Sequence, residues 1–120
     1  MPEIRPLTPA FAITGQLRPG DLPEIAARGF RTIVNNRPDG EEPGQPRAVD
    51  IAAEALRLGL VWRDLPMESR EVSDEQARDF EHMLPQLPAP VLAFCRTGAR
   101  STALWERTQR RQGDSAAGET

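Results

Sequence analysis

The sequence predicts an α/β fold with a mostly parallel open sheet flanked by helices on both faces. Three observations predict it. Apolar runs of strand length alternate with amphipathic helical patterns along the chain, and the helical patterns tend to stop at a glycine. The run "PVLAF", residues 90 to 94, is continuously apolar, as a central strand covered on both faces must be. The length of 120 residues suits one domain, expected over 1–112, with a polar, small-residue tail at 113–120 expected to be flexible.

In order, "FAITG" (11–15) reads as a short strand. "DLPEIAARG" reads as a helix with Asp21 as N-cap, Glu24 three residues on and Gly29 as the stop. "FRTIVNN" (30–36) is the next strand. Residues 47 to 58 place Val49, Ala52, Ala53 and Leu56 at helical spacing before Gly59, and "LVWRDL" follows as a strand. "SDEQARDFEHML" (73–84) opens with the capping-box pair Ser73 and Gln76 and sets Ala77, Phe80 and Leu84 on one face. After "PVLAF" a last helix is expected from near Arg100 to about Gln109. Two segments interrupt the rhythm, "NNRPDGEEPGQP" (35–46) and "PMESREVS" (66–73), and both leave strands at their carboxyl ends. Ligands of open α/β sheets bind outside those ends, where the single cysteine, Cys95, also falls.

Composition narrows the chemistry. One cysteine and one histidine leave no intramolecular disulfide and no multi-cysteine metal site, so metal-free chemistry without a cofactor is expected. No run approaches membrane-spanning length and the start lacks a signal-peptide pattern, which reads as a cytoplasmic protein without a membrane partner. A net charge of -3 argues against a nucleic-acid partner, although all fifteen cations are arginine.

The candidate site is "CRTGARS". A strand, a cysteine, a glycine turn and a helix together aim backbone N–H groups and a helix N-terminus at one point, and Gly98 permits the turn. Such a setting favours the thiolate. Activated cysteines titrate at roughly 3.5 to 7.5 against about 8.5 for a free thiol. A helix dipole contributes only about 0.3 to 1 kcal/mol, so several N–H donors, with an arginine or the Ser101 hydroxyl, must share the load. A lone cysteine at a strand end is commonly a small buried hydrophobe. Two flanking arginines, costly to bury without an anion, turn the reading toward a reactive thiolate.

At this loop the sequence resembles two families of thiolate enzymes. Tyrosine and dual-specificity phosphatases carry a glycine three residues after the cysteine and an arginine six residues after it, and usually have histidine before it. Here Gly98 matches, Arg100 comes five residues on with Ser101 after it, and Phe94 takes the histidine's place. Rhodanese-type sulfurtransferases use a cysteine, four residues and an arginine, as "CRTGAR" does. The chain as a whole, through "ITGQL", "FRTIVNNRPDGEEPGQP", "LP" at 65 and 66 and "VLAFCRTGARSTALW", resembles the beta-lactamase-hydrolase-like family, a bacterial domain of cysteine-phosphatase-like fold of the dual-specificity type. That resemblance covers roughly residues 7 to 110. It implies sulfur transfer in sulfide detoxification, with a metallo-beta-lactamase-fold persulfide dioxygenase as partner.

Loop size offers a physical choice. A phosphoryl group in its transition state spreads charge over three oxygens and needs a ring of donors, whereas a persulfide places one terminal sulfur in the cradle. The short ring from Cys95 to Arg100 therefore predicts a sulfurtransferase, passing sulfur from a small anionic donor, thiosulfate or a persulfide, through a Cys95 persulfide to a thiol or cyanide acceptor. The backbone of Arg96, Thr97, Gly98, Ala99 and Arg100 would cradle the sulfur, Arg100 orient the donor, Ser101 bond the thiolate and Arg96 steer anions. Asn35, Asn36 and Arg37 would bind the donor or serve the turn in "RPDG", and the resemblance adds Gln16 to the pocket floor. The alternatives are a cysteine-dependent phosphatase, needing a general acid from Asp64, Glu68 or Glu71, and a non-catalytic anion-binding or sulfur-relay module. Trp62 and Trp105 read as core, and Glu41 and Glu42 as a solvated loop face.

Overall fold

The computed structural model describes the backbone of residues 1–118 and the side chains of residues 1–113. Five strands form one sheet: β1 (Arg5–Thr8), β2 (Phe11–Thr14), β3 (Thr32–Asn35), β4 (Val61–Asp64) and β5 (Val91–Phe94), in the order β1-β2-β5-β3-β4. β2, β5, β3 and β4 run parallel, with Thr32 and Phe11 both opposite Val91, and only β1 is antiparallel, against β2. Among the described residues four α-helices accompany the sheet: α1 (Leu22–Ala27), α2 (Ala48–Arg57), α3 (Asp74–Met83) and α4 (Ala99–Gly118), with short 3-10 turns at Pro19–Asp21 and Leu84–Gln86.

Side chains alternate across the central strands, as the pleat requires. Ala12, Ile33, Leu92 and Phe94 point to one face, where they pack with Leu22 and Ile25 of α1 and Ile51 and Ala55 of α2. Phe11, Ile13, Val34, Val91 and Ala93 point to the other, against Phe80 of α3 and Leu104 of α4. Trp105 stacks on Phe11 with ring centroids 4.6 Å apart, and Phe80 meets Phe11 edge-on at 5.8 Å. Both tryptophans are partly buried against these layers, in line with a core role.

The strands and helices expected from the sequence are present, with four differences. β1 was not foreseen, because "RPLT" lies at the sheet edge with its side chains largely exposed and shows no apolar run. Asp21 does not cap α1 through its side chain. Its backbone is already helical, and its carboxylate accepts the Arg18 N–H at 2.9 Å, closing the turn that precedes the helix. The buried face of α2 is carried by Ile51 and Ala55, while Val49 and Leu56 are 55% and 79% exposed, so the expected apolar face points outward. α4 continues to Gly118, well past Gln109. Of the tail expected over 113–120, only Gly113 lies fully within the described residues. The capping box of α3 forms as expected, with the Gln76 N–H donating to Ser73 Oγ at 3.0 Å and the Ser73 N–H to Gln76 Oε1 at 2.9 Å. Among the described residues no helix is long and apolar enough to cross a membrane.

The orientation of α2 is open to a direct check by urea unfolding. Ile51→Ala removes a buried side chain and is expected to cost roughly 2–5 kcal/mol. Leu56→Ala, on the exposed face, is expected to stay within about 0.5 kcal/mol of the parent.

Candidate active site

β5 delivers Cys95 to the carboxyl edge of the sheet, residues 96–98 turn, and α4 begins at Ala99. The turn requires Gly98, whose φ of +94° is strained for any side chain. The Gly98 N–H donates to Cys95 Sγ at 3.0 Å. Burial, the strongest single influence, pushes the thiol up, yet the backbone N–H groups of Ser101, Thr97, Arg100 and Gly98 together outweigh it and lower its pKa. The thiol is only 1% exposed, so its stabilisation comes from a built ring of donors and not from solvent. The end of β2 latches this ring in place. The Gln16 N–H donates to the Arg96 carbonyl at 3.1 Å, and a Cβ at Gly15 would sit 3.1 Å from that same oxygen. Gly15 is thus a site residue that only a close backbone approach reveals.

The loop after β3 supplies the scaffold. Asn36 is fully buried, its side chain donating to the Leu65 carbonyl at 2.9 Å and accepting the Ser101 hydroxyl at 2.8 Å. The expected hydroxyl contact from Ser101 to the thiolate is therefore replaced: the hydroxyl faces Asn36 and the backbone N–H serves the sulfur. Asn35 accepts the Arg37 N–H at 2.9 Å and donates to Asp64 Oδ1 at 3.1 Å, the turn-forming role. Arg37, 2% exposed, donates to Gln16 Oε1 at 3.0 Å, Glu41 Oε1 at 2.7 Å and Glu42 Oε1 at 3.2 Å. Asn35, Asn36 and Gln16 hold loops together and do not line the cysteine cavity, whereas Arg37 forms part of its wall.

Glu41 and Glu42 lie on an exposed loop face as expected, and they are also ion-paired. Glu41 receives both terminal nitrogens of Arg100 at 2.8 Å as well as Arg37, and Arg100 also donates to the Met67 carbonyl at 2.7 Å. The Arg100 hydrogen bond foremost, and Arg37 beside it, hold the Glu41 carboxyl at about 2 against the opposing effect of burial. The pairing could not be found by spacing, since the partners lie 59 residues apart.

A cavity of about 540 Å³ opens over the cysteine loop, lined by Arg96, Thr97, Ala99 and Arg100, by Arg37, Glu41 and Glu42, and by Glu68, Ser69 and Arg70 from the loop after β4. Three loops therefore converge as the sequence suggests. Arg96 is exposed and lies 3.7 Å from Glu42. Thr97 accepts the Ala99 N–H at 3.3 Å. Of the carboxylates considered as general acid, Glu68 lines this cavity. Asp64 does not: it accepts from Asn35 and from the Trp62 indole at 3.0 Å, and lines a separate concavity with Val49 and Ala52 on the α2 side. Glu71 is also absent from the cavity wall.

Comparison with known proteins agrees with this fold. Residues 3–112 match the family model for the beta-lactamase hydrolase-like protein, phosphatase-like domain. A beta-lactamase hydrolase-like protein of Agrobacterium fabrum is 34% identical over 95 residues, 79% of this chain and 22% of the relative, so the chain spans about a fifth of the length of the curated relatives it matches. The crystal structure of a candidate phosphatase of Neisseria meningitidis superimposes with a TM-score of 0.79 at 35% identity, covering 85% of this chain and 72% of that one. The active form of Tk-PTP superimposes at 0.60 with 24% identity, covering 81% and 64%, a likeness of fold.

The Glu41 clamp has a defined pH signature. Because folding depresses this carboxyl from its ordinary 4.5 to about 2, its contribution is complete above 4.5 and is lost as pH falls through 2. Urea midpoints of the parent and Glu41→Gln should therefore differ most at neutral pH and converge between pH 4.5 and 2. A difference that stays constant over that range would show that the Glu41 charge contributes nothing.

Proposed function

The chain belongs to the beta-lactamase hydrolase-like family through its phosphatase-like domain, and on that premise we propose that it is a cysteine-dependent phosphatase. The observation that carries the proposal is a buried thiol with a lowered pKa inside a ring of backbone N–H groups, closed by Arg100 and overlooked by Glu68. This set matches the demands of phosphoryl transfer: a nucleophile, donors for the equatorial oxygens and an acid for the leaving group. Phosphoryl transfer is favoured over the sulfur transfer that loop length suggests, because a structure 35% identical to this chain is a candidate phosphatase.

The Cys95 thiolate attacks phosphorus, the S–P bond forms as the ester P–O bond breaks, and the departing oxygen takes a proton from the Glu68 carboxyl. The amides of residues 96–101 and the Arg100 guanidinium receive the three phosphoryl oxygens. Water then attacks phosphocysteine, giving a proton to Glu68, and inorganic phosphate leaves as the thiolate returns. Glu41 cannot serve as the acid, since a carboxyl at about 2 is ionised at any pH where the protein would work.

A second reading rests on one feature, the six-residue ring from Cys95 to Arg100, which suits a single sulfur atom. There the thiolate would break the S–S bond of thiosulfate, sulfite would leave with the bonding electrons, and a thiol, or a metallo-beta-lactamase-fold persulfide dioxygenase acting downstream, would use the persulfide. No carboxyl takes part.

The two chemistries separate on one variant and one mass measurement. Under phosphoryl transfer, Glu68→Gln lowers kcat on an aryl phosphate by roughly 10²–10⁴, vanadate inhibits, and acid-quenched protein carries one added phosphoryl group that Cys95→Ser lacks. A reversible gain of one sulfur from thiosulfate, with no aryl phosphate turnover, would establish the second reading instead.

A further inference from the structure

We propose that Arg5 and Arg70 form a second anion subsite beside the cysteine cavity, so that the substrate carries two phosphate-like groups. A concavity of about 410 Å³ is lined by Arg5, Arg70, Ala99, Thr102, Ala103 and Glu106, and it shares Arg70 and Ala99 with the wall of the cysteine cavity. The two hollows are thus neighbours on the same surface, parted by the first turn of α4.

The arginines arrive from opposite parts of the chain. Arg5 comes from β1, the edge strand, and Arg70 from the loop after β4, at the far edge of the sheet. Arg5 reaches inward far enough that its Nη2 lies 3.5 Å from where a Cβ would stand on Gly98, the residue whose N–H bonds the thiol. Among the described residues neither Arg5 nor Arg70 pairs with a carboxylate, whereas Arg37, Arg96 and Arg100 in the adjoining cavity all do. Two guanidinium groups facing one hollow repel each other, and an anion between them relieves the repulsion with charge-assisted hydrogen bonds. Glu106 is the one acid of the lining. It lies seven residues along α4 from Ala99, about 10 Å of helix rise, so it bounds the subsite at its outer end.

The inner arginines are already paired. Arg37, Arg96 and Arg100 share the two carboxylates Glu41 and Glu42, while among the described residues Arg5 and Arg70 next door bond no carboxylate. A molecule with one phosphate at Cys95 and another over Arg70 and Arg5 uses both. This inference rests on the phosphoryl reading of the Cys95 cavity.

The test is equilibrium binding, which needs no turnover. Methylphosphonate and a series of linear bisphosphonates with one to six methylenes between the phosphonates are titrated calorimetrically into the full chain. At least one bisphosphonate is expected to bind tenfold or more tightly than methylphosphonate, and in Arg5→Gln/Arg70→Gln that ratio should fall to about two or less. Arg31→Gln, which removes a charge near the opposite end of the sheet, should keep the ratio. A ratio near one for every length in the parent, or one that survives the double substitution or falls equally in Arg31→Gln, would overturn the subsite. Failure of the phosphatase reading is seen separately, as absence of aryl phosphate turnover by the unaltered protein.

Discussion

The site depends on one buried amide. Asn36 ties three pieces of structure together: its N–H donates to the Phe94 carbonyl at 2.8 Å, and its own carbonyl accepts the Met67 N–H at 2.9 Å. Its side chain bonds Leu65 and Ser101. A single residue thereby fixes the end of β5, the loop after β4 and the first turn of α4 with respect to one another. Each of these groups, if left unsatisfied in the interior, would cost about 1–3 kcal/mol, so the arrangement is secured by the expense of any alternative. The thiol cradle, the Glu68 loop and the helix that carries Arg100 are all positioned from this point.

Around that anchor the charges form a second, outer framework. Arg37 is buried, and burying a guanidinium requires partners for its donors. Gln16, Glu41 and Glu42 supply them, and Glu41 passes the connection on to Arg100. The proline- and glycine-rich segment after β3 is therefore tied down by ion pairs instead of by regular structure. It forms a wall of the cavity because its carboxylates must meet arginines from both sides.

Much of this was legible in the sequence, and what was not has physical reasons. Short apolar runs marked β2, β3 and β5, and only β5 is unbroken, while Thr14, Thr32 and Asn35 are buried polar residues near the strand ends. β1 was missed because an exposed edge strand imposes no such pattern. The face of α2 was misjudged because apolar residues occur on two sides of it, and spacing alone cannot tell Ile51 and Ala55 from Val49 and Leu56. Cys95, Arg100 and the convergence of three loops followed from the rule that strand ends gather ligands. The specific partners did not follow: Ser101 prefers Asn36, Asp64 turns toward Trp62, and Glu41 reaches across 59 residues. Contacts between side chains far apart in the chain leave no local signature.

The pair made by Glu41 and Arg100 also bears on the entropy of recognition. A free arginine side chain populates many rotamers, and immobilising one costs about 1.5–2 kcal/mol. Here Glu41 and the Met67 carbonyl hold the guanidinium before any ligand arrives. An anion bound at Arg100 would meet a donor whose conformational freedom folding has already removed, so its binding free energy would go into contacts and not into ordering the arginine.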